Sequence, residues 1–533
     1  MRIDGVRSQH RGIVWGGQGV VAAASPLAVS AGLNMLRRGG SATDAALAAA
    51  FVTTVALPDQ CGVGGDAFIL RYDAKTRTVR ASSGSGPSPL KVDASFIRNM
   101  GHTRMPLTGI YSIAVPGAVA AYQQAWRDGA RLSWQELWQP AIDYARSGVP
   151  LGGTTMHHMA GESVKISASA ALQRKFGGHQ KPGDILYQPE LARTLESIAQ
   201  SQGESFYRGP LAQRLLAALK EQGGGFSGPE WQEYQADDGE ALSTEYGGYR
   251  IFTPPLPSQG FMLLEALNLI EPHGLGGQGY MDTRSIRTMA DAVRLAFEDR
   301  VQIADINRPQ SVQRLLTKNY ANMRWGQPPA KMVIDGDRFD GDTTFIVAGD
   351  ESGNAVCLVH SLGHSFGSGI VAGDTGVLMN NRAGRGFYLN PGANQLAPGK
   401  RTMHTLMAWM ATDAQGRLQW AGGTPGGDGQ PQWNLQLLVN LIDWKLNIQE
   451  AVEAPRWTVF PGTDSNVVGL SHELRMESRF PAEVIETLTD WGYPIRLQSG
   501  WESGGGAQVI GRAQSGVWMA GSDPRVDGMA GAW

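Results

Sequence analysis

Cysteine is nearly missing from this sequence: Cys61 and Cys357 are the only two in 533 residues. Two thiols cannot build a disulfide framework or a cysteine-based metal centre, so each is expected to serve as a small buried apolar residue. A dominant charge is missing too. A formal net charge of −3 gives no electrostatic basis for binding nucleic acid or an anionic membrane. No segment approaches the roughly 18 uninterrupted apolar residues of a spanning helix. The N-terminal "MRIDGVRSQHRGIVWGGQGVV" has basic residues but no apolar stretch ahead of a cleavage site, so a soluble, cytoplasmic protein is expected. The 70 glycines are spread through turns, without a low-complexity tract or an internal repeat.

What remains is a globular composition, 42% hydrophobic and 18% charged, with material for a large core. Ser25-Pro26 is a good N-cap and N1 pair for a helix ending at Gly39-Gly40. Ser41 with Asp44 resembles a capping box that opens the Ala-rich "ATDAALAAAFVTTVAL". "PDQCGVGGDAFILRYD" reads as a Gly-rich turn feeding a strand over 67–72, and "TRTVRASSG" alternates suitably for its hairpin partner. Residues 115–240 are mainly helical in pattern, the longest helical period covers 283–305, and strands dominate from 343 onward. Helical and hairpin blocks without a long linker predict a layered α/β protein, and a four-layer αββα sandwich fits.

Several short segments invite chemistry. "CGVGGDAF" precedes a strand, the wrong order for a dinucleotide fingerprint, and "GTPGGDGQ" lacks the Lys-Ser/Thr ending of a phosphate loop. Both still offer backbone N–H groups that can point at a ligand. His360 and His364 stand four apart, but Gly363 and "FGSG" break any helix between them, so no metal site is expected. Arg382 and Arg385 in "NNRAGRGF" read as solvated loop charges. Thr343, in "DGDTTFIVAG", reads as a strand residue. A threonine hydroxyl becomes a nucleophile without a histidine if the chain is cut just before it, because the new α-amine titrates near neutrality and acts as base.

The surrounding residues favour that second reading. "DTTFIVAGDESGNAVCLVHSLGHSFGSGIVAGDTGVLMNN" resembles the γ-glutamyltranspeptidase family of N-terminal nucleophile hydrolases: Thr-Thr, a strand, a D-x-x-G-N-A-V turn, a second strand, F-G-S-G and a closing Asn-Asn. "GGSATDAALAAAFVTTVALPDQCGVGGDAFIL", "PPLPSQG", "GTPGGDGQ" and "GSDPRVDG" follow in family order, so the resemblance covers about residues 19–528. It implies the αββα sandwich and a zymogen that cleaves itself between Asp342 and Thr343. Segments 1–342 and 343–533 would then stay associated as one intertwined catalytic domain, with a higher oligomer left open. It implies Thr343 as nucleophile and base, Ser361 as the hydroxyl contacting it, and Gly426 and Gly427 as the oxyanion-hole pair. It implies neither metal nor organic cofactor, and leaves Thr344 as an ordinary strand residue.

The departures bear on substrate. Ser83 stands where the γ-glutamyl enzymes carry a carboxylate-binding Arg, and His404-Thr405 stand for their Ser-Ser pair. Arg382 and Arg385 replace a Gln and an Asp on the α-amino side, and Gly363 replaces an Asn. An inverted charge opposing an ammonium in a partly desolvated pocket costs on the order of several kcal/mol. The altered pocket suits a small amide bearing a carboxylate and no amine, with Arg382, Arg385, His404 and Thr405 as its binding residues. In this it is similar to the oxamate-hydrolysing branch, which makes oxalate and ammonia in purine degradation. Three alternatives stay open: γ-glutamyl hydrolysis or transfer on glutathione-like substrates, a glutaryl- or cephalosporin-type acylase, and a non-enzymatic binding relative.

Overall fold

A computed structural model describes residues 10–303, 309–326, 342–463, 467 and 472–533. Among these residues two seven-stranded sheets are present, and every pairing within them is antiparallel. The first runs in the order Met529–Ala532, Val20–Ala23, Asp342–Gly349, Ala355–Gly363, Asp66–Asp73, Thr78–Gly84 and Asp237–Glu240. The second runs Val14–Gly16, Trp518–Ser522, Gln508–Arg512, Leu418–Gly423, Trp409–Thr412, Tyr249–Thr253 and Leu242–Tyr246.

Side-chain alternation sorts these strands into layers, because successive residues point to opposite faces. Phe345, Val347, Cys357, Val359 and Phe68 of the first sheet pack against Met410, Ala421, Ile510 and Trp518 of the second. Their neighbours Ile346, Ala348, Leu358 and Ile69 turn the other way, onto the helices Pro26–Arg37, Ala42–Ala56 and Trp134–Ser147. On the far side Ile251, Trp409 and Val509 meet the helices Gly260–Ile270, Thr283–Gln302 and Gly429–Ile442. The result is the expected αββα sandwich.

The helix Ala42–Ala56 is buried along its whole length, which its small side chains permit. Ser41 and Asp44 form the expected capping box, and Phe51 stacks on Trp138 with ring centroids 3.6 Å apart. The strand expected over 67–72 extends to Asp66–Asp73, and this extension brings a carboxylate into the sheet. The helix expected over 283–305 is seen as Thr283–Gln302, with 304 and 305 outside the described residues. Cys61 and Cys357 are both buried and unbridged, as expected of apolar packing residues. No helix among the described residues is long and apolar enough to cross a membrane.

Both sheets draw strands from either side of residue 342. Neither 1–342 nor 343–533 contains either seven-stranded sheet whole, so the two stretches complete each other's ladders.

Candidate active site

Thr343 sits at an irregularity in the centre of the first sheet. Asp342 opposes Gly363, whereas Thr344 opposes His360, so the Ala355–Gly363 strand carries one extra residue here. Such a bulge re-aims local side chains. Thr343 is buried, and its Oγ1 donates to Ser361 Oγ at 3.1 Å. Ser361 Oγ also accepts the Gly363 N–H at 2.8 Å, which holds it in place. Gly363 has φ 108°, and a Cβ built on it would lie 2.0 Å from Asn381 Oδ1. Asn381 therefore fills the space that a side chain on Gly363 would need. Thr344 is a buried strand residue.

The "GTPGGDGQ" turn is shaped by what lies beneath it. Gly426 and Gly427 have φ 121° and 53°, a region that strongly favours glycine. A Cβ on Gly426 would come within 2.1 Å of the Trp433 ring, and one on Gly427 within 2.1 Å of Arg385 Nη2. Their carbonyls are engaged: Gly426 O accepts Gly429 N–H at 2.8 Å, and Gly427 O accepts Gln259 Nε2 at 2.8 Å. Among the described residues no protein group accepts from the Gly426 or Gly427 N–H. Asp428, next in the turn, is anchored by a buried ion pair to Arg300 at 2.5 Å.

The two arginines are not the solvated loop charges that their sequence context suggests. Arg382 and Arg385, on the short helix Arg382–Gly386, are 1% and 2% exposed. Arg385 Nη1 donates to Gly363 O at 2.8 Å, which ties it to the residue whose N–H holds Ser361. Arg382 Nε approaches Asp66 Oδ2 at 3.3 Å. His404 Nε2 lies 3.0 Å from that same oxygen, while its Nδ1 accepts the Leu406 N–H at 3.0 Å. That acceptance puts the imidazole proton on Nε2, where it donates to Asp66. Gly117 N–H donates to Asp66 Oδ1 at 3.2 Å.

The electrostatics follow from burial. Desolvation raises Asp66 to about 6, against the opposing pull of Arg382. Burial, and then Arg382 and Arg385, push His404 well below its ordinary range, so it is a neutral donor. Thr405 Oγ1 and Ser83 Oγ are buried and have no hydrogen-bond partner among the described residues. Ser83 is paired with Phe68, whose ring lies 4.7 Å from that of His404, so Ser83 shares this face.

His360 belongs to a different environment from His364. Its ring is held between Thr53 Oγ1 at 2.9 Å and Tyr122 OH at 2.5 Å in the helical layer. Thr343, Ser361, Gly363, Arg385 and Gly427 instead join in one chain of contacts, with Arg382 and His404 converging on Asp66 beside it. Asp66 directly opposes Ser361 across the ladder. Sequence reasoning missed Asp66 and Trp433. The available signal was a charge entering an otherwise apolar strand in "GGDAFIL", which the glycines around it obscured.

A family model described as Gamma-glutamyltranspeptidase matches residues 28–533. The chain is 32% identical over 520 residues to the glutathione hydrolase-like YwrD proenzyme of Bacillus subtilis, covering 95% of this chain and 96% of that one. It is 30% identical over 537 residues to the oxamate amidohydrolase proenzyme of Klebsiella pneumoniae, covering 97% and 98%. Among solved structures, cephalosporin acylase from Bacillus halodurans superposes with a TM-score of 0.89 at 30% identity, covering 100% and 99%.

Proposed function

The chain belongs to the gamma-glutamyltranspeptidase family, and from that premise we propose that it is a self-cleaving amidohydrolase for a small carboxylate-bearing amide, oxamate first among them. Membership makes it a hydrolase or acylase of the N-terminal nucleophile type. Its residues supply the rest of the reading.

Activation begins when Thr343 Oγ1 attacks the Asp342 carbonyl carbon. The acyl group shifts from nitrogen to oxygen, and water hydrolyses the ester, leaving a carboxylate on Asp342 and a free α-amine on Thr343. Segments 1–342 and 343–533 stay together through the shared sheets. In turnover that amine takes the hydroxyl proton as Oγ1 attacks the substrate carbonyl. The N–H groups of Gly426 and Gly427 receive the developing oxyanion. The amine returns its proton to the leaving nitrogen, ammonia departs, and water resolves the acyl ester by the same route. Ser361 orients the nucleophile.

The observation that carries the substrate reading is the contact between Arg385 and Gly427. A cation against the oxyanion turn favours a carboxylate close to the scissile carbonyl. Oxamate has its carboxylate bonded directly to that carbon. A γ-glutamyl group instead brings an ammonium toward two buried arginines. An acylase for longer dicarboxylic monoamides is the second reading, favoured by Arg382 as a further cation and by the likeness to cephalosporin acylase.

The test is an ammonia-release panel of oxamate, longer dicarboxylic monoamides, glutamine and glutathione, run beside denaturing electrophoresis. Two bands and preferential oxamate turnover are expected. No oxamate turnover at millimolar concentration removes the first choice, and a Thr343→Ala protein that still splits at 342/343 removes the self-processing mechanism.

A further inference from the structure

Arg382 and Arg385 lie buried on one short helix, and the carboxylate of Asp66 meets the first of them. We propose that Asp66 is the positioning residue of the substrate pocket: its carboxylate fixes the Nε edge of Arg382 and the Nε2 of His404, which sets the face that Arg382 presents to a substrate carboxylate. The inference rests on the function proposed above and concerns the same site.

The geometry is specific. Asp66 is fully buried at the start of its strand and directly opposes Ser361, whose hydroxyl accepts from the nucleophile. Three donors address its two oxygens: Arg382 Nε and His404 Nε2 at Oδ2, and Gly117 N–H at Oδ1. Three donors favour the charged form, while burial outweighs them and raises the carboxyl to about 6. It is also a poor candidate for binding substrate itself, since those donors occupy much of its accepting capacity. Asp66 therefore acts through Arg382.

Protonation of Asp66 reverses the arrangement. The groups around it are Arg382, His404 and Arg385, with the phenols Tyr122, Tyr207 and Tyr234 further out. Burial moves the three phenols upward and His404 downward, away from neutrality, which leaves Asp66 to titrate near 6. Below that pH the Arg382 ion pair is lost. Positioning predicts weaker carboxylate binding there, whereas added positive charge alone would predict tighter binding.

The experiment measures KM and kcat from pH 5 to 8 for wild-type and Asp66→Asn protein, with calorimetric binding of oxalate in parallel. Asparagine removes the charge and must turn its NH2 toward one set of these donors, so the ion pair that holds Arg382 is lost. The expected result is a KM for oxamate raised at least tenfold in the variant, with kcat changed less than threefold. In the wild-type protein KM should rise as pH falls through about 6. The wild-type profile needs no variant, so it decides the matter even if Asp66→Asn does not fold. If oxamate is not turned over but oxalate binds and weakens on acidification, the substrate choice fails and the role of Asp66 stands. If KM and oxalate affinity are flat across pH 6, or tighten below it, Asp66 does not position the pocket.

Discussion

Arg385 lies against Gly427: its Nη2 occupies the space that a side chain on Gly427 would need, 2.1 Å from an ideal Cβ. The residue proposed to select the substrate and a residue proposed to stabilise the oxyanion are thus one packing unit. Gly427→Ala keeps the backbone N–H but must push Arg385 aside, and it places a side chain at φ 53°. Because the obstruction is the end of a side chain, the variant should fold. We expect kcat/KM to drop by about 30-fold or more, the scale of displacing a buried, hydrogen-bonded charge, about 2 kcal/mol. A loss under threefold would separate Arg385 from the turn's function.

Ser361 Oγ accepts from Thr343 Oγ1 and is itself held by Gly363 N–H. Ser361→Ala should slow both self-cleavage and turnover by roughly 10- to 100-fold, because an unoriented hydroxyl samples unproductive positions. Ser361→Thr should recover most of either rate. Gel time courses of processing and initial rates of ammonia release report the two steps separately. Normal rates in the alanine variant would make the hydrogen bond incidental.

Arg385→Asp puts a carboxylate where substrate is expected to bring its own, and leaves Gly363 O without its donor. Truncating or inverting a buried, hydrogen-bonded charge costs about 2–5 kcal/mol. The preference for oxamate over an uncharged amide of similar size should fall at least tenfold. An unchanged preference would assign Arg385 a packing role.

His360 gives a pH dependence of stability unrelated to the reaction. Thr53 Oγ1 donates to Ala50 O, so it accepts from His360 Nε2, and Tyr122 OH is left to donate to Nδ1. The neutral ring is fully satisfied, and burial lowers its pKa to about 3. The unfolded chain binds this proton near pH 6.5 and the folded chain does not. Stability from this group is therefore present above 6.5 and lost as pH falls toward 3, by about 1.4 kcal/mol per pH unit. His360→Gln should flatten that part of the slope in thermal melts between pH 6.5 and 4. An unaltered slope would mean that other groups carry it.

Local pattern carried much of this protein into view. The capping box at Ser41 and Asp44, the hairpin around 342–363 and the glycine turn at 426–427 are short-range features, since period, cap chemistry and turn residues act over a few positions. Ordered motifs then led from those pieces to a family and to Thr343. The state of the charges required the fold. Arg382 and Arg385 look like solvated loop residues in sequence, and only the stacking of distant segments buries them. Arg382 meets Asp66 across 316 residues of chain, and Arg385 meets Gly427 through a turn moulded on Trp433. A charge's partner and its desolvation depend on which remote segments share a low-dielectric interior. The sequence by itself determined where the proposed nucleophile lies, and the tertiary structure decided what surrounds it.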